Sequence, residues 1–363
     1  MTALTYSIPA DQIADLAPIF HRSKRVPLFV GPPGIAKTAM IRAAAEQMTA
    51  STGVQHSVRE LHLASLSEVD VRGYLVPTGD TATFTKPEFW AAIERCPHGF
   101  LFLDEFPQAT HEVQKAVAPL ILEGRIGEYY LPPGWSVVLA GNGIDDGAGA
   151  NTLLSHIVNR VCIVNVTAPD VDMWATWATQ MQLPYELIAF AKYRPEVVFN
   201  TEVPSAADTP YCTPRSLHAV GDIANAYPGG LRSMVEQKSG MALLRGTIGD
   251  GAASELAGLV RTAINLPSYE DVVASPDKIA VPTKPDAAYA MIMLVAVRAR
   301  MEHAEQVTTY LTRFQPNLAV TGMVSLVRRD HNFIRSKTMH KWVTENKDLL
   351  TKFSKYITAG IAK

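Results

Sequence analysis

In the first half of the chain, apolar positions fall into two alternating patterns. Short, nearly continuous apolar runs occur at residues 26–30, 99–103, 135–140 and 161–166, and 58–63, where apolar and polar residues mix, is a further strand candidate. Each is long enough for a strand and too short for a helix. Between them lie stretches with helical spacing. Ile13, Leu16 and Phe20 recur every three or four residues across 11–25, and residues 39–48 are rich in strong helix formers. Residues 113–122 have a helical pattern that Pro119 is expected to kink or end, and 151–159 predicts a short helix. Alternating strands and helices predict an α/β fold with a parallel sheet. The run Gly99-Phe100-Leu101-Phe102-Leu103 predicts a central strand buried on both faces.

Two stretches interrupt this rhythm. Residues 74–76 and 81–84 flank a Pro-Thr-Gly-Asp turn and predict a β-hairpin with an exposed polar tip. Residues 125–134 predict a second hairpin, turning at Pro132-Pro133-Gly134. From Pro169 onward the pattern is helical, with no further buried-strand run; 251–263 and 286–300 are the clearest helices. Residues 276–285, bounded by prolines, predict a linker, and 286–363 a separate small helical unit.

The candidate chemistry sits at the ends of the strands. Gly31-Pro32-Pro33-Gly34-Ile35-Ala36-Lys37-Thr38 joins the first strand to a helix. Strand, glycine-containing loop and helix with Lys-Thr at the junction is the context of a phosphate-binding P-loop. Backbone N–H groups and the helix N-terminus would hold the phosphates; Lys37 would add a point charge, and the Thr38 hydroxyl would ligate Mg²⁺. Ala36 stands where this motif normally has glycine, and its Cβ penalises positive φ. The strand 99–103 runs into Asp104-Glu105. Carboxylates at that edge of an open α/β sheet lie beside the P-loop. Asp104 would hold Mg²⁺ and Glu105 would polarise the water that attacks the γ-phosphate. Asn142 ends the next strand, where an amide can orient that water or touch the γ-phosphate. Arg160, between a short helix and a strand, has the geometry of an arginine finger reaching a neighbour's nucleotide. Thr213-Pro214-Arg215 reads as N-cap, first turn and an outward cation opposing the helix dipole, to which an anion would be complementary.

Composition narrows the class. With 363 residues the chain predicts two or three domains, and 47% hydrophobic with 19% charged residues is the make-up of an ordinary soluble protein. The net charge of −2 gives no global basic field, which argues against nucleic acid or a membrane surface as partner. Cys96, Cys162 and Cys212 are widely spaced and read as reduced, partly buried thiols. Residues 1–10 lack the pattern of a signal peptide, and the longest apolar run, 287–297, is too short to span a bilayer, so a cytoplasmic location is expected. Arg328, Arg329, Arg335, Lys337 and Lys341 form a candidate basic patch, more simply a solvated helix face.

The ordered series from P-loop to Arg215 resembles the AAA+ ATPases, as Walker A, Walker B, sensor 1, arginine finger and sensor 2. Within them the chain resembles the MoxR branch and the related CbbQ and NorQ activators. The loop with Ala before Lys is similar to that branch. So are the hairpin after Asp70-Val71-Arg72-Gly73, the hairpin before sensor 1, and the run from Leu131-Pro132-Pro133-Gly134-Trp135 through Asp145-Asp146 to Asn159-Arg160. The resemblance covers roughly residues 20–225. It implies an AAA+ core over 1–168 with two hairpin insertions, a helical lid over 169–275, and a linker with helical extension over 276–363. It also implies ATP and Mg²⁺ as cofactors and a homo-oligomeric ring, commonly a hexamer. Arg160 would act in trans and Arg215 in cis or in trans. The expected partners are a von Willebrand factor A-domain protein and a client protein that the ring remodels. Two other readings share these motifs. A nucleic-acid motor would call for basic pore hairpins, but the tip Thr78-Gly79-Asp80 is not basic. In a non-hydrolysing scaffold ATP would be structural, and the complete set Lys37, Asp104, Glu105 and Asn142 argues against that.

Overall fold

The computed structural model describes residues 6–143, 151–200 and 209–346. Asp145 and Asp146 lie outside the described residues. The chain divides into two compact units, with the boundary between Asp170 and Val171.

The first unit holds β1 (Ser7–Pro9), α1 (Ile13–Ser23), β2 (Val26–Val30), α2 (Lys37–Thr52), β3 (His56–His62), α3 (Glu68–Arg72), β4 (Leu75–Thr78), β5 (Thr81–Phe84), α4 (Glu88–Glu94), β6 (His98–Asp104), α5 (His111–Glu123), β7 (Arg125–Ile126), β8 (Tyr129–Tyr130), β9 (Trp135–Gly141), α6 (Ser155–Val158) and β10 (Val161–Thr167). Six strands form one sheet in the order β1-β10-β2-β9-β6-β3, and every neighbouring pair is parallel. Successive side chains of each strand serve opposite faces. Phe29, Phe100, Phe102, Val138 and Ala140 pack with Ile13, Ala17 and Ile41 on one side. Leu28, Leu101, Leu103, Val137 and Leu139 pack with Trp90, Val117 and Leu120 on the other. Burial on both sides is why these strands read as unbroken apolar runs. At the sheet's other end, burial pushes His21 down to about 4, leaving a neutral ring whose Nδ1 lies 3.0 Å from Ser136 Oγ.

Several sequence expectations need correction. The second hairpin pairs β7 with β8 and turns at Gly127-Glu128, not at Pro132-Pro133-Gly134. Gly127 has φ +56, a conformation that costs glycine nothing. Helix α5 does not end at Pro119; it continues to Glu123, and Gly124 caps it with φ +69. The carbonyl freed by the proline ring is that of Lys115, an exposed residue. The short helix is confined to Ser155–Val158. Cys162 is exposed rather than partly buried.

The second unit contains only helices among its described residues: α7 (Val171–Gln180), α8 (Tyr185–Tyr193), α9 (Pro195–Val198), α10 (Pro214–Ala226), α11 (Gly230–Glu236), α12 (Lys238–Ile248), α13 (Asp250–Ile264), α14 (Tyr269–Ala274), α15 (Pro285–Arg298), α16 (Ala304–Thr312), α17 (Pro316–Arg329) and α18 (Lys337–Glu345), with short 3-10 turns between some of them. One hydrophobic core runs from Trp174 to Trp342, so residues on both sides of the 275/276 position share it. Its centre is α15, whose residues 290–296 are all buried; this accounts for the longest apolar run. No helix among the described residues is long and apolar enough to cross a membrane. The expected basic patch is partly used inside this unit. Arg329 Nη1 donates to the carbonyls of Ala296 and Val297, satisfying the C-terminal end of α15. An ion pair between the buried Lys192 and the half-buried Asp172 ties α8 to α7.

Candidate functional site

The site is built where the sheet places its strand ends. Strand β2 lies between β10 and β9, and the loop after it enters α2. A Cβ at Gly31 would lie 2.2 Å from the Val166 carbonyl oxygen, so only glycine lets the loop leave this close to β10. Gly34 takes φ +80. Ala36 takes φ +72 and ψ +23 as the residue just before α2, the left-handed conformation that its Cβ disfavours. The loop therefore keeps the backbone that glycine would allow, at a cost of about 1–2 kcal/mol for an L-residue. Ala36→Gly removes that strain but adds about 0.5–1 kcal/mol of unfolded-chain entropy. The expected outcome is a net gain of roughly 0.5–1 kcal/mol, read as a higher urea midpoint with an unchanged slope. A lower midpoint would mean the methyl group packs favourably enough to outweigh the strain.

Lys37 opens α2, and its side chain is buried. Its Nζ donates to the Gly31 carbonyl at 2.6 Å, to the Pro32 carbonyl at 2.9 Å and to Asn142 Oδ1 at 3.3 Å. The ammonium is thus folded over the concave side of the loop, with the strand-end amide beside it. Thr38 Oγ1 donates to Asp104 Oδ2 at 3.2 Å. These two residues are the hydroxyl and carboxylate that a nucleotide-bound Mg²⁺ requires, and they already meet. Asp104 Oδ1 accepts the Glu105 N–H at 2.8 Å. Glu105 itself has φ +58 and ψ +30, which turns the chain sharply at the tip of β6. Its half-buried carboxylate has no hydrogen-bond partner among the described residues. Strained backbone at both Ala36 and Glu105 puts two of the four non-glycine residues with positive φ among the described residues in this one site.

Residues 27–160 match the family model of the AAA domain, dynein-related subfamily. The fold is that of an AAA+ P-loop NTPase. No curated protein sequence matches the chain significantly. Among solved structures, two point mutants of RuvB from Thermotoga maritima are similar, each at 13% identity. One has a TM-score of 0.37 over 75% of this chain and 77% of that one. The other has a TM-score of 0.33 over 93% and 88%. A likeness at that level carries no functional weight.

Within the AAA+ fold, Lys37, Thr38, Asp104, Glu105 and Asn142 converge on the C-terminal edge of the sheet. Gln108 joins them, although nothing in the sequence singles it out. Its Nε2 donates to the Asn142 carbonyl at 3.1 Å, and its Oε1 accepts the Asn142 N–H at 3.3 Å. This two-point clamp fixes the amide that faces Lys37. It requires Gly141, where a Cβ would lie 2.2 Å from Pro107 Cδ. Arg160 follows the turn after α6, where its N–H bonds the Ile157 carbonyl at 2.8 Å. Its guanidinium is exposed and meets no carboxylate among the described residues. Arg215 lies in the second unit, exposed in the first turn of α10. Thr213 caps that helix by accepting the Ser216 N–H at 3.0 Å.

The two hairpins touch. Tyr129 Oη donates to the Phe84 carbonyl at 3.1 Å, and Lys86 Nζ lies 5.2 Å from the Tyr129 ring centre. Every residue of β4 and β5 is exposed. Tyr74 at 62%, Leu75 at 59% and Tyr130 at 70% exposure leave large apolar surface that this unit does not cover.

Proposed function

We propose that this chain is a MoxR-type AAA+ ATPase that hydrolyses ATP with Mg²⁺ in a ring assembly and uses the cycle to remodel or activate a client protein. The observation that carries the reading is the pairing of Lys37 with Asn142 and of Thr38 with Asp104 at one sheet edge. In this reading residues 31–38 wrap the β- and γ-phosphates, and Lys37 leaves its carbonyl acceptors for phosphate oxygens. Thr38 and Asp104 hold Mg²⁺, Glu105 polarises the attacking water, and Asn142 orients it. Arg160, exposed and without a carboxylate partner, serves the nucleotide of the neighbouring subunit. Arg215 is the sensor 2 candidate, acting in cis or in trans.

The coupled, exposed hairpins would carry the motion to the client. Their apolar, nearly uncharged surface suits a protein client, the expected mediator being a von Willebrand factor A-domain partner. The same lack of basic residues at the tip disfavours a nucleic-acid motor. Sedimentation velocity tests the assembly: Mg·ATP should convert the protein to a closed ring, commonly a hexamer, and Lys37→Ala should prevent this. A wild-type protein that stays monomeric at saturating Mg·ATP would contradict the ring.

A further inference from the structure

The C-terminal edge of the sheet carries a second group of ligating side chains, two of which, Glu60 and His62, have no part in the nucleotide chemistry proposed above. Glu60 and His62 are two residues apart on β3, so both point to one face of the sheet. His62 pairs in register with Asp104 of the adjacent β6. One donor atom from each of Glu60, His62 and Asp104 lies within 4.8 Å of the other two. Glu60 Oε1 is 3.5 Å from His62 Nε2. Two donors bound to one tetrahedral ion at about 2.1 Å lie about 3.4 Å apart, so the set needs only a modest contraction to close.

We propose that Glu60, His62 and Asp104 form a binding site for a borderline divalent transition metal such as Zn²⁺, next to the proposed Mg²⁺ site and sharing Asp104 with it. The donor set selects the ion: imidazole with carboxylates suits Zn²⁺ and Co²⁺, whereas Mg²⁺ takes oxygen donors. Outer contacts already orient the ligands. Arg42 Nη2 holds Glu60 Oε2 at 2.6 Å and leaves Oε1 turned toward His62. The Glu105 N–H holds Asp104 Oδ1. The His62 side chain is 56% exposed, which gives an ion a path from solvent and leaves a coordination position for water. Asp104 is common to this site and to the Thr38 pair, so an ion here draws the carboxylate away from Thr38 and links metal status to the nucleotide site. The proposal does not depend on ATP hydrolysis.

The test is Co²⁺ titration of the nucleotide-free protein, followed by visible absorption and by displacement with Zn²⁺. Wild type should take up one ion per chain with a d–d spectrum. His62→Ala and Glu60→Gln should each weaken uptake by about tenfold or more, and Thr38→Val, which frees Asp104 from its Thr38 contact, should not weaken it. His62 is exposed, so its replacement does not empty the core; circular dichroism checks the fold of both variants. Absence of uptake by wild type would overturn the proposal. So would uptake by His62→Ala as tight as wild type, which would put the ion on Thr38 and Asp104 instead.

Discussion

Glu105→Gln should bind Mg·ATP with near wild-type affinity and fail to turn it over. A positioned general base contributes about 10²–10⁴-fold, so the steady-state rate should fall by at least the lower figure. The geometry supports a role confined to the reaction step. The Glu105 carboxylate has no hydrogen-bond partner among the described residues, so the amide breaks no contact that holds the fold. Its backbone N–H stays on Asp104 Oδ1, so the Asp104 carboxylate keeps its orientation. The left-handed φ of +58 is a backbone feature that glutamine inherits. Parallel measurement of nucleotide affinity and turnover separates the two effects. A variant that hydrolyses ATP at the wild-type rate would remove Glu105 from the mechanism.

Arg160→Ala should produce a loss as large or larger. An arginine supplied to a transferring phosphoryl group is worth about 10³–10⁵ in rate. Arg160 is exposed and unpaired with any carboxylate among the described residues, so its removal should not weaken the isolated chain. The diagnostic result is complementation. Arg160→Ala subunits keep an intact loop and Glu105; Glu105→Gln subunits keep the arginine. Mixed assemblies should therefore regain activity that neither variant has alone. An Arg160→Ala protein that hydrolyses ATP normally within an intact ring would contradict the trans role.

Local order was legible in the sequence wherever one residue and its neighbours determine the outcome. The strands were readable because burial on both faces leaves unbroken apolar runs, as in 99–103. The P-loop was readable because glycine, lysine and threonine are needed at fixed spacing. The hairpin β4–β5 was readable from its turn residues. The second hairpin was misplaced because Pro132-Pro133-Gly134 is also a turn sequence. It leads into β9, while Gly127 makes the hairpin. Pro119 left a kink or an end open in the sequence, and the helix runs on through it to Glu123, with solvent beside the Lys115 carbonyl that the ring frees. Features that depend on register were not legible at all. Gln108 reaches Asn142 from 34 residues away. His62 faces Asp104 only because β3 and β6 pair in one register. Arg329 looked like part of a charged surface until its acceptors on α15 were known.

The central claim is ATP hydrolysis at sites completed by a neighbouring subunit. The measurement that tests it most directly is the steady-state ATP turnover per protomer as a function of protein concentration, with Glu105→Gln as control. The rate per protomer should rise cooperatively as subunits assemble and disappear in the control. A rate independent of concentration, or one that persists in Glu105→Gln, would contradict the account.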